Sequence, residues 1–147
     1  GYLPGSMWID IEQVEVTDAV TRNGNRLVSY ERDIRMNFEG RWQTSEELLT
    51  ERSFVPVRVC TGATEYRTDR ALPDPVTLEW LIEKKTQEQL DRGIAQNCIW
   101  RWPYSTQQSF PPGEYRLCVS IFPRTNFGLK KEQACSDVYR NPVPRSF

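Results

Sequence analysis

Four cysteines and a complete lack of histidine bound the chemistry this chain can perform. Without an imidazole, the usual nucleophile–base pair and His-bearing metal centres are excluded. Cys60, Cys98, Cys118 and Cys135 form no C-x-x-C pair on a tight turn, which argues against zinc. No D-x-D-x-D series supplies the compact oxygen cage that calcium needs. Neither a metal nor a cofactor is expected. Carboxylate chemistry remains, with Asp69 and Asp74, or Glu46 and Glu47, as pairs that could act as acid and base. No spacing places either pair in a cleft, and solvated loop acids are the simpler reading. A non-enzymatic protein is expected.

The cysteines read better as two structural disulfides. Glu114 to Tyr139 has the pattern of a β-hairpin folded about Thr125-Asn126-Phe127-Gly128. One register sets Cys118 across from Cys135, Ser120 across from Gln133 and Arg116 across from Asp137. The other face then receives Tyr115 with Val138, Leu117 with Ser136 and Val119 with Ala134. Directly opposed residues of a non-hydrogen-bonded pair lie close enough for a bridge. Joining Cys118 to Cys135 leaves Cys60 for Cys98. Such bridges imply an oxidising location: periplasm, cell exterior or virus particle. Because Cys118 shares its face with Arg116 and Ser120, its sulfur is expected outside the core, unlike the inter-sheet bridge of antibody domains.

Two stretches carry side chains suited to binding. In Trp100-Arg101-Trp102-Pro103-Tyr104, a strand would align Trp100, Trp102 and Tyr104 as a platform for sugar rings or a protein partner. The alternative is that these rings close the core beside the Cys60–Cys98 bridge. The hairpin end combines Arg124, Lys130 and Lys131 with Phe127 and could meet an acidic partner. Neither stretch interleaves enough cations with aromatics for nucleic acid.

These side chains must be positioned by strands. Ten prolines and eight glycines in 147 residues favour turns over long helices, and the net charge of −1 gives no dominant electrostatic partner. No apolar run is long enough for a membrane span, although an anchor or export signal could have preceded residue 1. Residues 1–7 read as a linker or cloning remnant, 8–140 as one domain and 141–147 as an extended tail.

Along the domain, Trp8 to Thr17 changes phase from Ile9 and Ile11 to Val14 and Val16, predicting a strand bulged near Glu12-Gln13. Val28 to Trp42 alternates for too long to be one strand, so a kink or sheet switch is expected near Arg32-Asp33. Thr44 to Ser53 reads as a hairpin loop, a single helical turn at Leu48-Leu49 being the alternative. Phe54 to Thr61 returns as a strand that Pro56 makes an edge or an irregular one. Val76 to Ile82 alternates as a strand, and Thr86 to Ile94 could form one short helix. The sum is an all-β, two-sheet antiparallel sandwich, immunoglobulin-like by first choice and a jelly roll or barrel by second.

Val59-Cys60-Thr61-Gly62, Tyr66-Arg67-Thr68-Asp69, Leu72-Pro73, a Trp80 strand, Cys98, Pro112-Gly113-Glu114-Tyr115 and Ser136-Asp137-Val138-Tyr139 together resemble small uncharacterised proteins of proteobacteria and their phages. The resemblance runs from Ile9 to Tyr139, implies an exported or virion-associated domain and brings no catalytic residues. The pair Cys118 and Cys135 departs from it. The expected function is a disulfide-stapled binding or structural module of a virion or the bacterial envelope, engaging protein partners. A carbohydrate-binding module is the alternative.

Overall fold

The computed structural model describes residues 8–20, 26–68, 76–77, 98–124 and 130–141. The strands are β1 (Ile9–Val20), β2 (Arg26–Ile34), β3 (Phe38–Leu49), β4 (Phe54–Tyr66), β5 (Val76–Thr77), β6 (Cys98–Trp100), β7 (Gly113–Pro123), β8 (Glu132–Cys135) and β9 (Tyr139–Asn141). One turn of 3₁₀ helix, Tyr104–Thr106, follows β6. A three-stranded sheet has the order β1-β2-β5, and a six-stranded sheet the order β6-β4-β3-β7-β8 with β9 also on β7. Every pairing is antiparallel. The protein is an all-β, two-sheet sandwich.

Alternation of apolar side chains builds the interface between the sheets. Trp8, Ile9, Ile11, Val14 and Tyr30 of the small sheet pack with Phe38, Tyr66, Leu117, Val119 and Ile121 of the large one. The bulge in β1 lies where the phase change requires it. The register with β2 slips between Glu12 and Glu15, Gln13 adopts φ 52°, and the inserted residue returns Val14 to the core at 5% exposure.

The long alternating run divides into β2 and β3, which belong to different sheets. The switch occurs at Arg35–Asn37, beyond the expected Arg32-Asp33. Ile34 is still paired with Ile9, and Arg35 N–H donates to Trp8 O at 2.9 Å, which holds the chain on the small sheet for one more residue.

Two local expectations are corrected and one is met. Thr44 to Leu49 belongs to β3 and forms neither the expected loop nor a helical turn, because pairing with β4 runs through Leu49 and with β7 through Leu48. The turn is confined to Thr50–Ser53, where Thr50 N–H donates to Ser53 O at 2.9 Å and Ser53 N–H donates to Thr50 Oγ1 at 3.2 Å. Pro56 marks the local irregularity expected of it, and although β4 as a whole lies between β3 and β6, β6 pairs only with Arg58–Cys60 and stops short of the proline. Pro56 sits at a register shift opposite Glu46/Glu47, a site that tolerates a missing donor. β4 also runs on to Tyr66, past Gly62. A Cβ there would lie 2.5 Å from the Trp42 indole, so glycine is what lets that ring lie across the neighbouring strand.

The β7–β8 hairpin has the expected register from Cys118↔Cys135 to Ile121↔Glu132. It fails beyond Cys135. Tyr115 pairs with Tyr139 instead of Val138, and Glu114 with Arg140. At the slip, Ser136 N–H donates to Leu117 O at 2.8 Å, while Leu117 N–H finds the Ser136 hydroxyl at 2.9 Å. That hydroxyl donates onward to Asp137 O at 2.8 Å. A side chain therefore completes the ladder where the backbone departs from it. Ser136→Ala should leave the buried Leu117 N–H without its acceptor and cost about 1–3 kcal/mol, measurable by urea unfolding. A cost below about 0.5 kcal/mol would show that another acceptor replaces the hydroxyl.

β7 is paired with β3 as far as Pro123. Asn141, expected in the frayed tail, pairs with Gly113. Of the strand expected at Val76–Ile82 only Val76–Thr77 is described, pairing with β2. The short helix at Thr86–Ile94 lies outside the described residues, as do residues 1–7 and 142–147.

Candidate functional site

Both disulfides form as expected, Cys60–Cys98 and Cys118–Cys135, each with a Cα separation of 4.0 Å. No free cysteine remains. Both are cross-strand bridges within the large sheet. Cys60 pairs with Thr44 and Cys118 with Ser45, adjacent residues of β3, so the bridges lie on opposite faces. One ties edge strand β6 to β4, and the other ties β8 to β7.

Cys118 is outside the inter-sheet core as its parity requires, but it is not at the surface. It is 1% exposed, Ser120 is 2% and Ser45 is 6%. Taller neighbours shield this row of small side chains. The Cys118 sulfur lies 3.6 Å from Glu47 Oε1, Arg116 Nε binds the same oxygen at 2.7 Å, and the Arg116 guanidinium lies 4.0 Å from the centre of the Phe54 ring. Arg116 therefore pairs with Glu47 and not with Asp137, because β3 supplies a carboxylate directly across from it.

The carboxylates do not form an acid–base pair. Glu46 and Glu47 are successive residues of β3 and point to opposite faces. Arg58 neutralises Glu46 through two contacts, Nε to Oε2 at 2.5 Å and Nη2 to Oε1 at 2.9 Å. Asp69 and Asp74 lie outside the described residues. No group of three or more His, Cys, Asp or Glu side chains able to hold a metal occurs among the described residues, and no helix there is long and apolar enough to cross a membrane.

The aromatic stretch is divided between two roles. β6 stops at Trp100. Arg101 N–H reaches Val57 O at 2.8 Å, and Tyr104 N–H closes a turn on Arg101 O at 2.7 Å. Trp100, Trp102 and Tyr104 therefore do not line up on one strand face. Trp100 packs on Phe110 at 4.8 Å between centroids, and the Arg58 guanidinium sits 5.4 Å from Trp100 and 4.9 Å from Phe110. Phe110 then meets Tyr115 edge-on at 5.8 Å, and Tyr115 stacks with Tyr139 at 6.2 Å. Trp102 is outside this chain of rings and is 84% exposed. Tyr104 is half-buried.

Glu46, Arg58 and Phe110 were missed in the sequence as parts of this cluster. Glu46 and Arg58 are directly opposed across β3 and β4. Extending β3 through Glu46 and Glu47 would have revealed the pair. Tyr115 anchors the cluster to its own loop by donating its hydroxyl proton to Pro111 O. Burial, with smaller contributions from Tyr104 and Glu46, pushes its phenol up to about 12, so the donor persists through the physiological range.

The chain matches no family model, no curated protein and no solved structure. Its functional reading therefore rests on its own surfaces.

At the far end of the large sheet, Arg124 is anchored by its N–H on Glu39 O at 2.8 Å and by its guanidinium on the Glu39 carboxylate at 3.2 Å. Lys131 lies 5.7 Å from the Phe122 ring centre, and Lys130 is exposed. Phe127 lies outside the described residues. Where β8 approaches β1, burial and then the Asp10 carboxylate raise the Glu132 carboxyl above its ordinary value. The folded state then binds this proton more tightly than the unfolded state does. Stability from this residue is greatest below the ordinary carboxylate pKa and falls as pH rises through the folded value. Glu132→Gln should flatten that decline and raise the urea midpoint at neutral pH relative to acid. Parallel midpoint–pH curves for the two proteins would contradict this.

Proposed function

We propose that this protein is a non-enzymatic binding or structural module acting outside the cytoplasm, in the bacterial envelope or on a virus particle. The observation that carries the reading is the pair of bridges stapling both flanks of one sheet, β6 to β4 and β8 to β7. Such bonds form and persist in oxidising compartments. They make the large sheet a preformed platform, so presenting its ends to a partner carries little ordering cost. The end bearing Arg124, Lys130 and Lys131 offers two lysines on a stapled hairpin beside an Arg124 already paired with Glu39, suited to an acidic protein neighbour in an assembly.

An immunoglobulin-like topology fits this role. On this reading β1-β2-β5 would be strands A-B-E and β4-β3-β7-β8 strands C′-C-F-G, with β6, which follows β5 in the chain, an added edge strand. The Tyr115–Pro111 bond has the form of a tyrosine corner at the start of strand F. Leu117 occupies the inward position where antibody domains place their second cysteine, and the bridging is instead within one sheet.

The test is fractionation from the native source. The protein should travel with envelope or virus particles, and the Arg124→Glu, Lys130→Glu, Lys131→Glu variant should be released from them at physiological salt while melting normally. A wild-type protein recovered only as a free monomer would remove the assembly role, and unaltered retention of the variant would remove these cations from it.

A further inference from the structure

We infer that the loop from Arg101 to Ser109 is a binding site for neutral sugars, with the Trp102 indole as its stacking platform. The site is independent of the Arg124–Lys131 surface, from which it is separated by the length of β7.

Trp102 differs from the packed rings beside it. Trp100, Phe110, Tyr115 and Tyr139 are consumed in mutual contacts, whereas Trp102 is 84% exposed. The exposed indole is nevertheless carried on fixed backbone. Arg101 N–H on Val57 O at 2.8 Å and Tyr104 N–H on Arg101 O at 2.7 Å bracket it, and the N–H groups of Gln107 and Gln108 close on Tyr104 O at 3.2 and 3.0 Å. The Cys60–Cys98 bridge secures the strand that leads into it. Little backbone entropy remains to be lost on binding.

The surroundings specify the ligand class. Although 27% of the chain is charged, no charged residue occurs from Trp102 to Gly113. The exposed side chains beside the indole are Pro103, Thr106, Gln107, Gln108 and Ser109. Hydroxyls and carboxamides both donate and accept hydrogen bonds, as sugar hydroxyls do. A pyranose with equatorial hydroxyls presents a flat C–H face that packs on the electron-rich face of an indole. Within the loop itself an anionic ligand would find a single cation, Arg101. A protein hot spot centred on Trp102 would call for a sealing ring of contacts around it, and this rim is made of small polar groups. Neutral β-gluco-configured units are the class that matches both the platform and the rim.

Titration with cellohexaose and chitohexaose, followed by indole fluorescence and calorimetry, tests the site. Saturable binding in the ~millimolar range is expected for a platform of one ring. Trp102→Ala should weaken it by about tenfold or more with the melting temperature nearly unchanged, because the side chain is 84% exposed. Trp102→Phe should retain part of the affinity. Binding should be insensitive to salt and unaffected by Arg124→Glu, Lys130→Glu, Lys131→Glu, so failure of the assembly role and failure of this site read out separately. Absence of binding to either saccharide, or equal affinity in Trp102→Ala, would overturn the inference. So would a Trp102→Ala variant that loses capture of a native protein partner while neither saccharide binds the wild type.

Discussion

Phe38→Ala is expected to lower the unfolding free energy by about 3–5 kcal/mol, a large share of the roughly 5–15 kcal/mol that stabilises a domain. Phe38 opens β3 immediately after the chain changes sheets, and its ring is the wedge between them. It stacks on Tyr66 at 4.6 Å with planes 12° apart and receives Trp8 at 4.6 Å and 88°. Gly40 allows the ring to lie close against β3, since a Cβ there would meet Phe38 Cε2 at 2.9 Å. Tyr66 is held opposite Phe38 by the β3–β4 pairing and Trp8 by its carbonyl bond to Arg35 N–H, so neither can collapse fully into the vacated space. The cavity term should therefore approach the upper end of the range. Urea unfolding at constant slope gives the measurement, and Phe38→Leu should cost roughly half as much by keeping most of the volume. A loss under about 1 kcal/mol for Phe38→Ala would mean that the sheets repack without this wedge.

Removal of Cys60–Cys98 by paired serine substitution should cost about 4 kcal/mol, against about 3 for Cys118–Cys135, from the longer loop the first bridge closes. The sequence separations are 38 and 17 residues. Local structure widens this difference. β6 has only three paired residues and lies at the sheet edge, so loss of its bridge leaves it held by the Arg58–Trp100–Phe110 contacts. β8 lies on the same arm as β9, which pairs independently with β7. Urea midpoints of the two paired-serine variants check the order. Non-reducing peptide maps should join 60 to 98 and 118 to 135 in the parent. A larger loss for the Cys118–Cys135 variant would show that β9 pairing does not compensate for the missing bridge.

Legibility in the sequence followed the range of the interaction. The bulge near Gln13 was visible because an inserted residue shifts the apolar phase of its own strand. The division of Val28–Trp42 was visible because an alternation that long exceeds one strand. Its location was not, since Ile9 and Trp8 hold Ile34 and Arg35 from another strand. In the hairpin, side-chain parity and the cysteine pair determined the register as far as Cys135. The slip beyond it depends on the Ser136 hydroxyl and on Tyr139 stacking with Tyr115, neither of which leaves a periodic trace.

The candidate sites show the same boundary. Trp100, Trp102 and Tyr104 were identifiable as residues able to bind, but period-2 alternation was extended through a segment that the Arg101–Val57 bond turns out of the strand. Arg116 was assigned the carboxylate offered by its own hairpin, while β3 brought Glu47 closer. By itself, then, the sequence determined the all-β class, both disulfide pairings and the absence of imidazole chemistry, because these depend on residue identity and on alternation along a single strand. The tertiary structure alone decided which carboxylate neutralises which arginine, that Cys118 is shielded on the outer face, and that Trp102 is left exposed while Trp100 is packed. Those outcomes depend on strands distant in sequence meeting side by side, and only folding brings them within contact distance.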